Sequence, residues 1–177
     1  MKYFKIILDG NDKVGGILYA PIGINSGYIS DSKKIPENVE NLIFTLKNGS
    51  YTSYMGSNIG ANLVNEDLKN LIEEFITNDY PIKFIPVTVC SDQHGNKQYF
   101  ILYFDIIFDV INTSKTIYVD GTSQIIKVCL DEYKVNGLNI FNSQPVINDV
   151  IVSDCLRKKI KKQKMDLGIE FSQLNCV

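Results

Sequence analysis

Few side chains in this sequence have a type and spacing that could carry out acid–base or nucleophilic chemistry. His94 is the only imidazole, and the polar run 92–96 around it is typical of a solvated turn rather than of a general base. Asp105 and Asp109 form the best carboxylate pair, since both fall on one face of a predicted strand. Four strand residues span about 13 Å, which is too far for two groups that act on one glycosidic bond. The sequence therefore predicts that the protein is not an enzyme and has no catalytic residue.

The sequence predicts neither a metal site nor a cofactor site. The cysteines Cys90, Cys129, Cys155 and Cys176 form no Cys-x-x-Cys pair and have one histidine to assist them, whereas structural zinc sites use closely spaced Cys and His. They are interpreted as free, mostly buried thiols. The sequence also contains no Gly-x-Ser-x-Gly nucleophile elbow and no Gly-x-x-x-x-Gly-Lys phosphate loop.

Length and composition are those of a globular chain. The 177 residues are 45% hydrophobic and 21% charged, which is ordinary for one folded domain and excludes collagen, coiled coil and intrinsic disorder. The longest apolar run, 99–111, is interrupted by Asp105 and Asp109 and is shorter than the roughly 20 residues of a membrane span. The N-terminal apolar stretch, 3–8, contains Lys5 and is too short for a secretory signal. We therefore expect a cytoplasmic protein without a membrane span.

Charge is distributed unevenly along the chain. Eighteen Lys and Arg against twenty Asp and Glu give a formal net charge of −2, which excludes the global excess that marks many nucleic-acid or membrane binders. Residues 1–156 carry 12 basic and 18 acidic side chains, net −6, whereas residues 157–177 carry 6 basic and 2 acidic, net +4. An acidic body thus precedes a basic C-terminal segment.

The clearest periodicity is that of a strand in residues 99–111, where every even position from Phe100 to Val110 is apolar. Residues 83–89 also have strand character, and the polar run 92–96 between the two predicts a hairpin. Further strand-like runs are 3–8, 41–46, 116–119, 124–130, 146–152 and 169–174.

Two segments have helical spacing. In the first, 65–78, apolar residues recur at i, i+3, i+4 and i+7 from Leu68, with Asn65 as the N-cap and an acidic opposite face. In the second, 154–165, Ser153 is the N-cap and most other side chains are basic. With the strands, these helices predict one α+β domain over 1–177, with a mainly antiparallel sheet, two short amphipathic helices and a loop-rich N-terminal third, 1–60.

A short pattern occurs twice. The segment 64–72 aligns with 152–160, and each copy continues into an apolar strand that begins at Ile82 or at Ile169. The shared unit is a cap, a helix, a turn and a strand, offset by 88 residues, half the chain. From the sequence, both an internal duplication and a chance likeness stay open.

A series of short motifs in residues 61–177 resembles a known family. In order, they are Ile85-Pro86-Val87, Gly95, Tyr99-Phe100-Ile101-Leu102, Phe108-Asp109-Val110-Ile111, Ile140-Phe141, Ile151-Val152-Ser153-Asp154-Cys155-Leu156 and Gly168-Ile169-Glu170-Phe171. In order and spacing they resemble the immunity protein eleven family of bacterial polymorphic-toxin systems, formerly a domain of unknown function. The strongly basic second helix and the run 165–167, where a glycine-led turn is expected, depart from the family pattern.

The resemblance implies a small bacterial protein that binds and neutralises a cognate toxin protein by stoichiometric protein–protein interaction and has no activity of its own. No contact residues carry over from the family. From the residues themselves, we expect docking where tyrosine lies beside carboxylate, because this pairing offers a rigid anchor and a charge partner to a basic toxin surface. The candidate partner-binding residues are Tyr103, Asp105 and Asp109 on the strand and Glu66, Glu73 and Glu74 on the first helix.

The basic second helix is expected to point away from that acidic surface. It supports an alternative function, a nucleic-acid-binding module, through Arg157, Lys158, Lys159, Lys161, Lys162 and Lys164. Aromatic stacking residues are not interleaved with these cations, and the acidic remainder of the chain would repel phosphates. Nucleic acid is therefore the less favoured partner.

Overall fold

A computed structural model describes residues 1–9, 15–22, 24, 42–77, 82–143 and 149–177, which contain thirteen strands and two helices. The strands are β1 (Tyr3–Leu8), β2 (Leu18–Tyr19), β3 (Ile43–Leu46), β4 (Tyr54–Gly56), β5 (Asn62–Val64), β6 (Ile82–Ser91), β7 (Gly95–Phe104), β8 (Ile117–Tyr118), β9 (Ile125–Lys127), β10 (Cys129–Leu130), β11 (Ile140–Phe141), β12 (Ile151–Ser153) and β13 (Ile169–Cys176). The helices are α1 (Glu66–Glu73) and α2 (Asp154–Lys162). The predicted α+β class is confirmed. Among the described residues, neither helix has the length and apolar character needed to cross a membrane.

The strands divide among three sheets rather than one. A six-stranded sheet has the order β2-β3-β6-β7-β5-β4, a five-stranded sheet has the order β10-β13-β1-β12-β11, and β8 pairs with β9 in a separate ribbon. The pairings β3–β6 and β10–β13 are parallel. The other pairings between these strands are antiparallel. Most pairings are thus antiparallel, as expected from the sequence, but the single expected sheet is replaced by two large sheets, each with one parallel pair, and a small ribbon.

Both large sheets curl until their ends meet. In the first curled sheet (β2–β7), Leu18 pairs with β3 and also bridges Ser57, which follows β4. In the second curled sheet (β1 and β10–β13), Phe108 bridges Ser143, which follows β11. Ile111 bridges β10 in the antiparallel sense. Residues 108–111 therefore hold, in the second curled sheet, the place that β2 holds in the first.

The two curled sheets have the same strand order. The series β3-β6-β7-β5-β4 corresponds to β10-β13-β1-β12-β11, with the parallel pair first in both. In the first, α1 connects β5 to β6 around the antiparallel strand β7, and in the second, α2 connects β12 to β13 around β1. The helix–strand unit found twice in the sequence is thus part of a repeat of the whole topology. A chance likeness of nine residues would not reproduce the order and direction of five strands, so an internal duplication is favoured.

The strand registers give the same correspondence residue by residue. Val64, the residue before the α1 N-cap, pairs with Phe100 of β7. Val152, the residue before the α2 N-cap, pairs with Phe4 of β1. The N-terminal strand β1 is therefore the counterpart of β7, although β7 follows its helix in the chain and β1 precedes everything else.

Buried tyrosines mark the same equivalence. Tyr99 precedes Phe100, and its hydroxyl donates a hydrogen bond to Thr52 O at 2.7 Å. Tyr3 precedes Phe4, and its hydroxyl donates to Val135 O at 2.6 Å. Each acceptor lies in the chain segment before β4 or β11, so each tyrosine ties its central strand to the segment that leads into the strand two places away in its own sheet.

Alternating side chains divide the interior into three hydrophobic clusters. Leu63 and Ile101 lie inside the first curled sheet, whereas the adjacent residues Val64 and Leu102 belong to a cluster that both helices share. A third cluster, around Phe141, fills part of the second curled sheet. Both faces of β7 are therefore covered, with Ile101 in the first curled sheet and Leu102 in the cluster shared by the helices.

The helices begin where predicted and end earlier. The Asn65 and Ser153 side chains each accept a hydrogen bond from the backbone N–H three residues ahead, at 2.9 and 3.3 Å, which confirms both N-caps. α1 stops at Glu73 rather than near 78, and α2 stops at Lys162 rather than at 165. Lys164 has a φ of 58°, so the backbone turns into the left-handed region before the predicted end of α2.

Several strand predictions match the structure closely. β1 spans the predicted residues 3–8, and the β6–β7 hairpin turns at 92–94. The run 124–130 is broken at Val128 into β9 and β10, and the run 99–111 is a strand only as far as Phe104. The predicted loop-rich segment 1–60 contains β1 to β4 in its described part, and residues 10–14, 23 and 25–41 lie outside the described residues. The same holds for 146–148 of the predicted strand 146–152 and for position 78 of the first helix.

Candidate partner-binding surface

The most reactive side chains of the sequence lie in separate surroundings. His94 is exposed in the β6–β7 turn, with its Nε2 3.2 Å from Gly49 O. One cysteine, Cys129, is buried, two are half-buried and Cys155 is exposed, so the expectation of mostly buried thiols is wrong. Within the part of the chain that the structure describes, no three His, Cys, Asp or Glu side chains are grouped to hold a metal ion.

Tyr103 and Asp105 meet at the end of the long β6–β7 hairpin. The register places Tyr103 opposite Lys83, and β7 ends one residue later. The Lys83 ammonium donates to both oxygens of Asp105, at 2.8 and 3.1 Å. Asp105 raises the pKa of Lys83, chiefly through this hydrogen bond. Partial burial, and next the negative charge of Asp105, raise the pKa of Tyr103, so the phenol stays protonated and can donate a hydrogen bond.

Asp109 does not lie on the same strand face as Asp105. β7 ends at Phe104, and by Phe108 the chain has reached the second curled sheet. The side chain of Asp109 is 82% exposed, and its Oδ2 lies 3.5 Å from Lys134 Nζ. The prediction that Asp105 and Asp109 share one strand face failed because the alternating run 99–111 belongs to two sheets. Its first part lies in the first curled sheet, and after Phe104 the chain crosses to the second.

The acidic residues of α1 form a second group. Glu66, Glu73 and Glu74 are all exposed on the side of α1 that faces away from its buried leucines and isoleucine. Glu73 pairs with Lys69 of the same helix, one turn earlier, at 2.9 Å. Because α1 packs on β7, this acidic face belongs to the same half of the molecule as Tyr103 and Asp105.

The basic helix α2 lies beside α1, contrary to expectation. The two helices are in contact, and Lys159 Nζ lies 4.0 Å from a carboxylate oxygen of Glu74. Both helices bury their apolar sides in one cluster, through Leu68 of α1 and Leu156 of α2 among others. The prediction failed because the twofold repeat brings the two equivalent helices together, which the separate amphipathic patterns do not reveal.

Several of the α2 cations are engaged within the chain. Arg157 and Lys158 both contact Asp154, at 2.6 and 2.7 Å, and these hydrogen bonds, led by that of Lys158, lower the pKa of the carboxyl. The Arg157 guanidinium also lies 4.2 Å from the centre of the Phe4 ring, and Lys161 Nζ lies 5.7 Å from that of Phe171. Much of this helix's charge therefore serves its own packing.

The six candidate residues thus fall into three places: Tyr103 and Asp105 at the end of β7, Asp109 beside Lys134, and the three glutamates on α1. Sequence reasoning missed Lys83, which neutralises Asp105, and Ile106, which is 42% exposed just beyond it. The hairpin register contains the signal for Lys83. Once the turn is placed at 92–94, residues 83 and 103 must face each other.

No protein-family model matches this chain, and no curated protein is significantly similar to it.

Proposed function

We propose that this protein is a bacterial immunity protein, which binds a cognate toxin domain one to one in the cytoplasm and neutralises it by covering its active site or substrate groove. The proposal is supported by the motif resemblance of residues 61–177. The observation that carries it is the arrangement at the end of β7, where half-buried Tyr103 lies opposite Lys83, Lys83 contacts Asp105 two residues further on, and exposed Ile106 follows. A preoriented tyrosine with an apolar and a charged neighbour is the kind of group that anchors protein interfaces.

Anchoring and steering would be divided between two places. Because Lys83 neutralises much of the charge of Asp105, this cluster contributes contact area and hydrogen bonds more than long-range attraction. The exposed acids of α1, with Glu66 at its first position, would instead speed the encounter with a basic toxin surface. Tyr103 then governs how long the complex lasts, and Glu66 governs how fast it forms.

The test uses the toxin-like domain encoded beside the gene of this protein. The proposal expects that co-expression relieves the toxicity of that domain and that the purified pair elutes as a one-to-one complex. Persistent toxicity together with separate elution of the two proteins would refute it. Retention of the isolated protein on heparin at low salt, lost when Lys158, Lys161 and Lys162 are changed to Gln, would instead support the nucleic-acid-binding alternative.

Two substitutions separate the anchor from the steering charge. Tyr103→Ala should raise the dissociation rate tenfold or more, as for a central anchor, while the matched control Tyr133→Ala, at a tyrosine that is 88% exposed, should leave it unchanged. Glu66→Lys should slow association several-fold and weaken its salt dependence, with Asp120→Lys in the β8–β9 turn as the control. Equal effects of the paired substitutions on these rates, measured by surface plasmon resonance, would show that the wrong surface has been chosen.

A further inference from the structure

The two curled sheets differ at one level of their interiors. In the first, Ile101 pairs with both Leu63 and Ile85. The corresponding registers of the second place Lys5 where Ile101 stands, with Ile151 and Ser172 as its partners. The registers are Lys5↔Ile151 on β12 and Lys5↔Ser172 on β13.

The next inward-facing position along the neighbouring strand also changes from apolar to charged. Ala61, two residues before Leu63, is 2% exposed and packs in the first interior. Its counterpart two residues before Ile151 is Asp149, whose Oδ2 lies 2.7 Å from Lys5 Nζ. The first curled sheet is thus closed at this level by alanine and isoleucines, and the second has an ion pair and a serine in their place.

Lys5, Asp149 and Ser172 line a cavity. Its volume is about 370 Å³, and its walls include the ion pair, Ser172, and the aliphatic side chains of Ile125, Ile151 and Leu174. The side chains of Lys5 and Asp149 are 35% and 22% exposed, so both charges are partly accessible to solvent. This volume lies within the range of small-ligand sites.

Stability alone does not account for this arrangement. Replacing a partly buried ion pair by well-packed apolar side chains is often neutral or stabilising, and an unfilled space forfeits the contacts of its walls. The first curled sheet demonstrates that the same topology accepts an apolar filling at this level. A charged, open cavity at the equivalent place therefore has the character of a binding site.

We propose that this cavity binds a free α-amino acid with an aliphatic side chain. The ligand carboxylate would contact Lys5 and its ammonium would contact Asp149. These two ligand groups sit on adjacent carbons, which suits protein charges whose atoms are 2.7 Å apart. The ligand side chain would lie against Ile125 and Leu174.

The ion pair also selects against other ligand classes. Lys127 also lines the cavity. A simple amine would bring positive charge towards Lys5 and Lys127, and a simple carboxylate or phosphate, although attracted by the two lysines, would bring negative charge towards Asp149. A zwitterion alone meets both groups with the opposite sign and leaves neither unpaired.

The test measures binding of leucine, isoleucine and valine to the whole protein by isothermal titration calorimetry, with thermal shift as a second readout. Isovalerate and isobutylamine, which each retain one of the two ligand charges, serve as matched probes. We expect saturable one-to-one binding of at least one amino acid, an increase in Tm, and at least tenfold weaker binding of both single-charge probes. The proposal is overturned if no amino acid binds up to 50 mM, or if either single-charge probe binds equally well.

A double variant copies the first interior into the second. Lys5→Ile with Asp149→Ala should abolish amino-acid binding while the protein keeps its circular dichroism spectrum and a Tm at least as high. Lys134→Met, which removes the cation beside Asp109, is the control and should bind as the parent does. If the double variant does not fold, Asp149→Asn tests the proposal instead, because it keeps the side-chain volume but removes the charge. The proposal requires that it weaken amino-acid binding at least tenfold. Toxin neutralisation by these variants is a separate readout, so its loss or retention does not decide the ligand site.

Discussion

Joining the two chain ends and opening the β6–β7 turn should leave the fold intact. The antiparallel register of β1 on β13 brings Val177 beside Met1. In the first half, the equivalent strands β6 and β7 are joined by a three-residue turn between Ser91 and Gly95. Residues 1 and 177 therefore lie at the place in the second half that corresponds to the β6–β7 turn in the first.

The expected change in the free energy of unfolding is small because the permutation replaces one turn by another of similar length. The permuted chain begins at His94, runs through a short linker between Val177 and Met1, and ends at Gln93. Neighbouring strands are about 4.8 Å apart, so three or four linker residues suffice. Because the cost of closing a loop depends only weakly on its length, the free energy of unfolding should change by less than about 1 kcal/mol.

Urea denaturation followed by circular dichroism measures this change, and an unchanged slope would indicate that the same surface is buried. The control permutant carries the same linker but opens α1 between Asn70 and Leu71, in the middle of a helix whose apolar face belongs to the shared cluster. We expect that control to lose several kcal/mol. If the permutant opened at the turn is as unstable as the control, the equivalence of the two halves has been misread.

Three further predictions concern stability. Asn65→Ala should lower the free energy of unfolding by about 1 kcal/mol through loss of the α1 cap. Ser153→Ala should lower it by about 2 kcal/mol, because the buried Ser153 hydroxyl caps α2 and also donates to Asn139 at 2.9 Å. A larger loss for Asn65→Ala than for Ser153→Ala in chemical denaturation would contradict this. Burial raises the pKa of Tyr3 to about 12, so the unfolded chain loses this proton first and stability should fall as pH rises from 10 to 12; a Tyr3→Phe variant that loses stability as steeply as the parent over this range would refute it. Tyr99 is shifted in the same direction by burial of its phenol, which puts its pKa above that of an exposed tyrosine, and Tyr99→Phe should remove part of the alkaline loss.

Local signals along the chain predicted elements well where one sheet or one helix face decides the pattern. β1 spans the predicted residues because its termini are set by a polar start and by Asp9, and the two caps are short-range hydrogen bonds that any helix start can form. The β6–β7 hairpin was predictable because its strands are long and its turn is polar. The register of this hairpin places Lys83 opposite Tyr103, so the contact between Lys83 and the end of β7 could have been predicted from the sequence.

Other features depend on contacts that no local pattern carries. The strands β4, β5, β10, β11 and β12 have two or three residues each, too few to show a period of two. The crossing after Phe104 is invisible because Phe108 and Val110 continue the alternation inside a different core. From the sequence alone, Lys5 resembles a solvent-facing residue of an edge strand. Its pairing with Asp149 could not be predicted because it depends on the position of β1 in the middle of a sheet.

The position of β1 also determines the order in which the protein can be completed during synthesis. All six strands of the first curled sheet lie within residues 18–104, so they are synthesised before four of the five strands of the second. β1 is synthesised before the strands of the first curled sheet, whereas its partners β12 and β13 are synthesised after them. β1 therefore stays without these partners, with Phe4 and Ile6 uncovered, until β12 and β13 have been made. The first curled sheet can fold in the meantime, and the second can then form beside it when β12 and β13 pair with β1.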